Sequence, residues 1–178
     1  MIGMGDRPGA AVSLPARTVA SPVGALTLVA DDRGHLVAVL WPDDRAGRVR
    51  LPPLHDHPDE PVLAMAAIQL DDFFAGRRQR FDLPLAFHGT PFQRRVWTAL
   101  QTIPYGQTRS YAAIAAQIDS PTAVRAVGAA NGRNPLSIVV PCHRVIGSGG
   151  RLTGFAGGLT AKQYLLSLES GVPVLPFG

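Results

Sequence analysis

The stretch SYAAIAAQIDSPTAVRAVGAANG, residues 110–132, contains two short helical patterns separated by a tight break. Ser110 can cap the first helix, YAAIAAQI, because its hydroxyl can accept a hydrogen bond from a backbone N–H of the first turn. Residues 119–121, DSP, interrupt the pattern, and TAVRAVGAANG continues it as far as Gly132. Two helices joined by so short a turn predict a helix-turn-helix, a motif that lays its second helix against DNA. Many helical hairpins bind no nucleic acid, so this pattern alone does not decide the function.

The sequence on both sides of this motif is also helical. Thr90 and Pro91 are typical of a helix start, and PYG at 104–106 is typical of the turn that follows a helix. Between them an apolar stripe recurs every three or four residues, formed by Phe92, Val96, Leu100 and Ile103. The segment TAKQYLLSLE, which ends at Glu169, predicts a final helix that can pack back against the middle of the chain.

Residues 1–87 have a different pattern, made of short β-rich runs punctuated by glycine and proline. RTVA, ALTLVADD and LVAVLWP, all within 17–42, are separated by the turns SPVG and DRGH. Runs of this kind predict a meander of antiparallel strands. RFDLPLAF at 80–87 predicts one more strand, which precedes a linker at HGTP.

One helical pattern interrupts these strands, in DEPVLAMAAIQLDDFFA at 59–75. Pro61 suits a first helical turn, Gly76 is placed to end the helix, and the apolar stripe consists of Leu63, Ala67, Leu70 and Phe74. We therefore predict an α+β fold with two domains. Residues 1–87 form an N-terminal antiparallel β-sheet with a helix, and residues 88–178 form a C-terminal helical domain that contains the helix-turn-helix.

The charge of the chain divides unevenly between these two halves. Residues 1–87 carry nine Lys and Arg against eleven Asp and Glu, whereas residues 88–178 carry eight against two. A half that is almost without acids suits a polyanionic partner, because basic surface supplies the sequence-independent part of nucleic-acid affinity. The alternative is a solvated basic face with no partner.

The sequence gives no indication of membrane insertion. No run approaches the ~18 apolar residues that a membrane-spanning helix needs, and the N-terminal segment MIGMGDRPGAAVSLPAR lacks the apolar centre of a secretory signal. We expect a soluble, cytoplasmic protein.

Cys142 is the only cysteine of the chain. One thiol can form neither an intramolecular disulfide nor a multi-thiolate metal site, so it is either inert packing or a nucleophile. A nucleophile must lose its proton, and His143 is the obvious base. Because neighbouring side chains diverge, we expect His143 to act on Cys142 through a water. The second half offers two carboxylates to orient the imidazole, and we favour Glu169 over Asp119, which lies in the turn between the two helices.

The motif PCHRVIG at 141–147, with RAVGAANGRNP upstream, resembles the active-site region of the O6-alkylguanine-DNA alkyltransferases. The resemblance extends from about Thr90 to Glu169 and is close throughout FQRRVWTALQTIPYGQTRSYAAIA. The first half matches only in length and strand-rich character, and in the family it is RNase H-like. The resemblance implies direct repair of double-stranded DNA. Cys142 takes the alkyl group from O6-alkylguanine, and from O4-alkylthymine, once and irreversibly, without a cofactor.

The resemblance also implies how DNA is held. The family binds the minor groove through its helix-turn-helix and rotates the damaged nucleotide out of the stack, because the O6 alkyl carbon is inaccessible inside a duplex. Arg125 matches the arginine that fills the vacated stack. Tyr111 matches the tyrosine that contacts the flipped base and donates a proton at N3. Ala126 and Arg133 are further expected DNA contacts.

The expected substrate pocket surrounds the cysteine. The resemblance implies that Asn134 braces the reactive turn, that the strand VVP delivers Cys142 to the pocket floor, and that the carbonyls of Cys142 and Val145 accept from the guanine amino group. Phe155 stands where most relatives have tyrosine, so a stacking wall remains without its hydroxyl. Ala156 and Gly157 complete the pocket, with the N–H of Ala156 directed at O6. We expect the sulfur to be ionised at the bottom of a cavity sized for one purine.

Two other functions remain open, and a metal is not expected. The chain could be a silent binder of alkyl lesions with an inert Cys142, or a hydrolase with the triad Cys142, His143 and Glu169. His35, His55, His57 and His88 could suggest zinc, which some relatives bind in their N-terminal half through cysteines and histidines. The first half has no cysteine, and HDHPDE at 55–60 lies in a Pro-rich segment, so solvated loop histidines explain the pattern better. We expect a monomer, and the sequence leaves cooperative clustering on DNA open.

Overall fold

The computed structural model describes residues 12–172. Four strands and one helix come first: β1 Leu14–Val19, β2 Leu26–Ala30, β3 Leu36–Leu40, β4 Leu54–Asp56 and α1 Pro61–Phe74. They are followed by α2 Pro91–Leu100, β5 Arg109–Ser110, α3 Tyr111–Gln117, α4 Val124–Gly132, β6 Val145–Ile146 and α5 Gly158–Ser170. Most of the segment examined for a secretory signal, 1–11, and the end of the second predicted domain, 173–178, lie outside the described residues.

The first half is a four-stranded sheet in the order β3-β2-β1-β4. β1, β2 and β3 pair antiparallel, as predicted, but β4 pairs parallel with β1. The interpretation of HDHPDE as a loop was therefore wrong for its first two residues, which form most of β4 at the exposed edge of the sheet. The predicted strand at 80–87 was also wrong. Only Leu85 forms a bridge, to Leu36, because the ring nitrogen of Pro84 has no hydrogen to donate to a ladder.

Side-chain caps form the starts of three helices, and two of them, Thr90 and Ser110, are residues that the sequence indicated. The third cap is Glu60, the residue before Pro61, whose side chain accepts from two backbone N–H groups at the start of α1. Thr90 and Gln93 form a reciprocal capping box at the start of α2, and Ser110 accepts from Ala113 N at the start of α3. Each cap satisfies backbone donors that a helix cannot satisfy itself, which fixes where the three helices begin.

One large apolar core runs through both halves of the molecule, and a second, small cluster of Ala16, Val29, Val37 and Ala38 lies in the sheet. Trp97 of α2 is 2% exposed, and its indole Nε1 donates to Ala130 O in α4, which locks the two helices together. From the first half, Trp41 donates to Ser137 Oγ and Val39 N donates to Pro135 O. The β-sheet therefore packs directly against the segment that leads into Cys142. Within residues 12–172, no helix is long and apolar enough to span a bilayer.

Candidate active site

A tight, strained turn leads into Cys142. We predicted that a strand, VVP, would deliver the sulfur, but Val139 lies in a turn and Val140 forms only an isolated bridge to Ser137. Cys142 then begins a 3-10 turn that ends at Arg144. Ile138 has a positive φ of 73°, a conformation that β-branched residues rarely adopt. Asn134 holds this turn from inside, because its Nδ2 donates to Val140 O at 2.9 Å and its Oδ1 accepts from Leu136 N at 3.0 Å.

The sulfur itself is buried in the free protein. Cys142 is 2% exposed, and burial raises the pKa of its thiol despite the opposing effects of Asn134, Arg48 and Lys162. The expectation of an ionised sulfur at the bottom of an open cavity was therefore wrong for this state. Desolvation disfavours the thiolate by more than the nearby polar and cationic groups favour it. The reactive form must therefore arise by transfer of the thiol proton to a base inside the site.

Glu169, near the end of α5, is the centre of a buried network of charged hydrogen bonds. Its Oε1 accepts from His143 Nε2 at 2.7 Å and from Arg144 Nη2 at 2.8 Å, while Oε2 accepts from Arg144 Nε at 2.8 Å and Gly106 N at 3.3 Å. Burial raises the pKa of Glu169, but the hydrogen bonds from His143 and Arg144 prevail and lower it to about 2. Glu169 is therefore ionised and can only accept hydrogen bonds.

This network determines where His143 carries its proton. Burial lowers the pKa of His143 below its usual value, despite the neighbouring carboxylate, so the imidazole is neutral at pH 7. Because Glu169 can only accept, Nε2 must be the protonated nitrogen. Nδ1 is then an acceptor, and it is buried without a protein hydrogen-bond partner. A neutral imidazole with one nitrogen held and the other available has the form of a general base.

A loop from Gly147 to Gly157 closes the site on the side of the helix-turn-helix. The hydroxyl of Tyr111, at the start of α3, hydrogen-bonds Thr153 Oγ1 of this loop at 2.7 Å. The buried Lys162 donates to Val145 O at 2.6 Å and lies 6.0 Å from the Phe155 ring centre. The Val145 carbonyl oxygen thus already accepts one hydrogen bond, from Lys162, and its second lone pair can accept another.

The expected pocket wall is supported from the first half of the chain. Trp41 packs edge-on against Phe155, with ring centroids 5.3 Å apart. A Cβ at Gly157 would lie 2.6 Å from the Trp41 ring, so only glycine allows this approach. Phe155 and Ala156 line a cleft of about 500 Å³ that also reaches Arg133. Arg125 and Ala126 lie elsewhere, exposed on the first turn of α4.

Two family models match almost the whole described chain. The 6-O-methylguanine DNA methyltransferase, ribonuclease-like domain, matches residues 16–87, and the DNA binding domain of the same family matches residues 91–171. The chain belongs to the 6-O-methylguanine DNA methyltransferase family. Membership of this family accounts for both the motif PCHRVIG and the α+β fold.

Individual members of the methyltransferase family are similar over most of their length. A methylated-DNA–protein-cysteine methyltransferase of Mycolicibacterium paratuberculosis is 52% identical over 86% of this chain and 90% of its own. The constitutive one of Bacillus subtilis is 58% identical over 64% of this chain and 70% of its own. Among solved structures, Mycobacterium tuberculosis OGT in complex with DNA has a TM-score of 0.78 at 48% identity, covering 89% of this chain and 95% of that one.

Several site residues of this methyltransferase-family chain were not found from its sequence. Asn131, buried on the inner face of α4, donates to Cys142 O at 3.4 Å, and Arg48 donates to Asn134 O at 2.7 Å. Lys162 and Ser137 are also buried beside the reactive turn. A polar residue at a buried helical position could have indicated Asn131, but no local pattern links Arg48 to a residue 86 positions away.

The described residues contain no group of three or more His, Cys, Asp or Glu side chains that could hold a metal ion. His55 lies in β4 at the sheet edge, where its Nδ1 hydrogen-bonds Ser13 Oγ at 2.9 Å, and His57 follows the strand. His57 lies 6.1 Å from His55, measured between ring centroids.

Proposed function

We propose that this chain repairs DNA by moving the alkyl group of O6-alkylguanine to the sulfur of Cys142 in a single turnover. The observation that carries the proposal is the lone buried thiol beside a neutral His143 that an ionised Glu169 holds in one tautomer. The relatives at 50–58% identity are methylated-DNA–protein-cysteine methyltransferases by name, which supplies the reaction.

The reaction is an in-line displacement. His143 Nδ1 takes the thiol proton through a water, and the imidazolium that forms is stabilised by Glu169. The sulfur attacks the alkyl carbon, the C–S bond forms, and the C–O6 bond breaks with its electron pair left on guanine. Tyr111 donates a proton at N3, so guanine leaves neutral. A thioether has no low-energy route back to a thiol, so each molecule acts once.

The buried thiol gives this reaction a built-in selectivity. Because the pKa of Cys142 is raised in the free protein, the sulfur is a poor nucleophile until an extruded nucleobase enters the site. We infer that entry requires the Tyr111–Thr153 hydrogen bond to open, since this bond ties the loop that carries Thr153 to the start of α3. The extruded guanine then accepts hydrogen bonds from the Ala156 N–H and donates to the Cys142 and Val145 carbonyls.

The DNA partner is double-stranded and binds the helix-turn-helix of α3 and α4. Arg125 enters the vacated stack, where a planar guanidinium fits better than an ammonium. Ala126 allows close approach to the minor groove, and Arg133 contacts a phosphate. The Mycobacterium tuberculosis relative has been solved in complex with DNA, which supports DNA as the partner. We propose a monomer that acts in the cytoplasm and also accepts O4-alkylthymine.

Mass spectrometry with a methylated duplex tests the proposal and separates the alternatives. We expect one methyl group on Cys142, a reaction that stops at one equivalent, and no transfer by Cys142→Ser, which still binds the duplex. Turnover beyond one equivalent would indicate a hydrolase. DNA binding by the native chain without an adduct would indicate a silent binder, and either result would contradict the proposal.

A further inference from the structure

The segment Arg45–Arg50, between β3 and β4, lies at the mouth of the cleft that contains Phe155 and Ala156. Arg45 lines that cleft together with Arg133, which follows α4. Arg50 lines a second, smaller cavity of about 160 Å³, which His88 and Arg133 also line. The two cavities share Gly47, Arg48 and Arg133, so they lie side by side at the junction of the two halves, and together they are called the groove below.

The groove is basic along its whole length. Its charged side chains are the three arginines of the segment and Arg133, and no carboxylate lines either cavity among the described residues. Arg45 and Arg50 are exposed, and neither forms an ion pair in the part of the chain that the structure describes. Exposed arginines without an ion-pair partner, such as Arg45 and Arg50, attract a polyanion, and the guanidinium fork matches phosphate oxygens.

Arg48, between the two exposed arginines, fixes the segment in place. Its Nε and Nη2 bind both carboxylate oxygens of Asp44, and its Nη1 donates to Asn134 O at 2.7 Å in the reactive turn. Gly47, with a φ of 77°, allows the backbone to turn just before this anchor. Arg45 and Arg50 are therefore presented by a backbone that is fixed relative to Cys142, so their contacts lose little entropy on binding.

We propose that Arg45 and Arg50 bind backbone phosphates of the DNA next to the extruded nucleotide, which makes the N-terminal half a second DNA-contacting element. The inference rests on the proposed function, because the extruded base enters beside Phe155, at one end of this groove. The DNA strand that carries the extruded nucleotide must pass the entrance of the active site on both sides of that nucleotide. In the groove its phosphates would contact cationic side chains instead of solvent.

Equilibrium binding tests this directly, with the full chain carrying Cys142→Ser so that no transfer occurs. The probe is a duplex with one O6-methylguanine. Adding Arg45→Gln and Arg50→Gln should weaken binding about three- to tenfold at low salt and reduce the slope of log affinity against log salt by about two. Arg33→Gln removes an exposed arginine of the β2–β3 turn, outside both cavities, and should change neither quantity.

Replacing single phosphates by neutral methylphosphonates locates the contacts. At one or more positions beside the lesion, the substitution should weaken the parent about threefold and leave the double glutamine variant unaffected. Arg45→Lys with Arg50→Lys should keep the salt slope, because it keeps both charges.

Equal losses for the parent and the double glutamine variant at every phosphate, or an unchanged salt slope, would overturn the inference and leave the proposed function intact. Failure of the parent to bind the duplex at all would instead contradict the proposed function.

Discussion

The reactive turn and the helix α4 are neighbours in the chain but are built in opposite ways. Every residue of Pro141–Val145 is buried, and the charges of the turn are satisfied by Glu169. Helix α4 starts without a side-chain cap and exposes Arg125 and Ala126. The chemistry needs protons at fixed atoms, whereas DNA recognition needs surface that is open until DNA covers it. Changes in the turn should therefore cost both stability and rate, and changes on the helix should cost rate alone.

Glu169→Gln should have the largest effect, because it leaves the buried Arg144 without a counter-charge. Removing one partner of a buried ion pair costs about 3–5 kcal/mol of unfolding free energy. Methyl transfer should also slow by about a hundredfold or more, because His143 loses the group that sets its tautomer. Urea denaturation and single-turnover kinetics measure the two effects. Gln163→Ala, an exposed change in the same helix, is the matched control, and a stability loss below about 1 kcal/mol for Glu169→Gln would contradict the prediction.

Acid should selectively weaken the reactive turn. The folded-state pKa of Glu169 is about 2, below its ordinary value of 4.5, so its contribution is complete above pH 4.5 and is lost as pH falls toward 2. The difference corresponds to about 3 kcal/mol. The lowered pKa of His143 acts in the same direction at a higher pH. Denaturation between pH 7 and pH 3 measures the loss, and Glu169→Gln should show a flatter dependence. If unfolding free energy depends equally on pH in the parent and in Glu169→Gln, the acid sensitivity does not come from Glu169, and the prediction is wrong.

The alkylated protein should be less stable than the unreacted one. A methyl group on Cys142 overfills a site that is already buried, and overpacking of this kind costs about 1–3 kcal/mol. Thermal melts before and after reaction with one equivalent of methylated duplex measure the change, once the DNA has been removed. A midpoint that is equal or higher after reaction would show that the turn has room for the alkyl group.

Arg125→Ala should have the smallest effect on the fold. Unfolding free energy should change by less than about 0.5 kcal/mol, because the side chain is exposed. Transfer from a duplex should slow about tenfold, equivalent to about 1.4 kcal/mol, because nothing fills the vacated stack. The transfer rate of Arg125→Lys should lie between that of the parent and that of Arg125→Ala. A loss of stability comparable with that of Glu169→Gln would remove the distinction between the two regions.

Local signals predicted the helices and their starts, since caps such as Thr90 and Ser110 act within one turn. The helix-turn-helix could be predicted for the same reason. The left-handed backbone at Ile138 could not, because packing of the whole molecule holds it there against its own preference. The burial of Cys142 was also missed, because the motif around it indicates reactivity and says nothing about the packing of the rest of the chain against it. Arg48 was missed because its partner lies in the other half of the chain.

The most direct test of the account is the pH dependence of Cys142 reactivity in the free protein. Iodoacetamide labelling can be followed by mass, since Cys142 is the only thiol and Cys142→Ser is a blank. We expect slow labelling at pH 7, with an inflection above the ordinary thiol pKa, from a protein that transfers methyl groups rapidly from DNA at the same pH. Rapid labelling with an inflection below pH 7 would show a sulfur that is ionised and open before DNA binds, and would contradict the account.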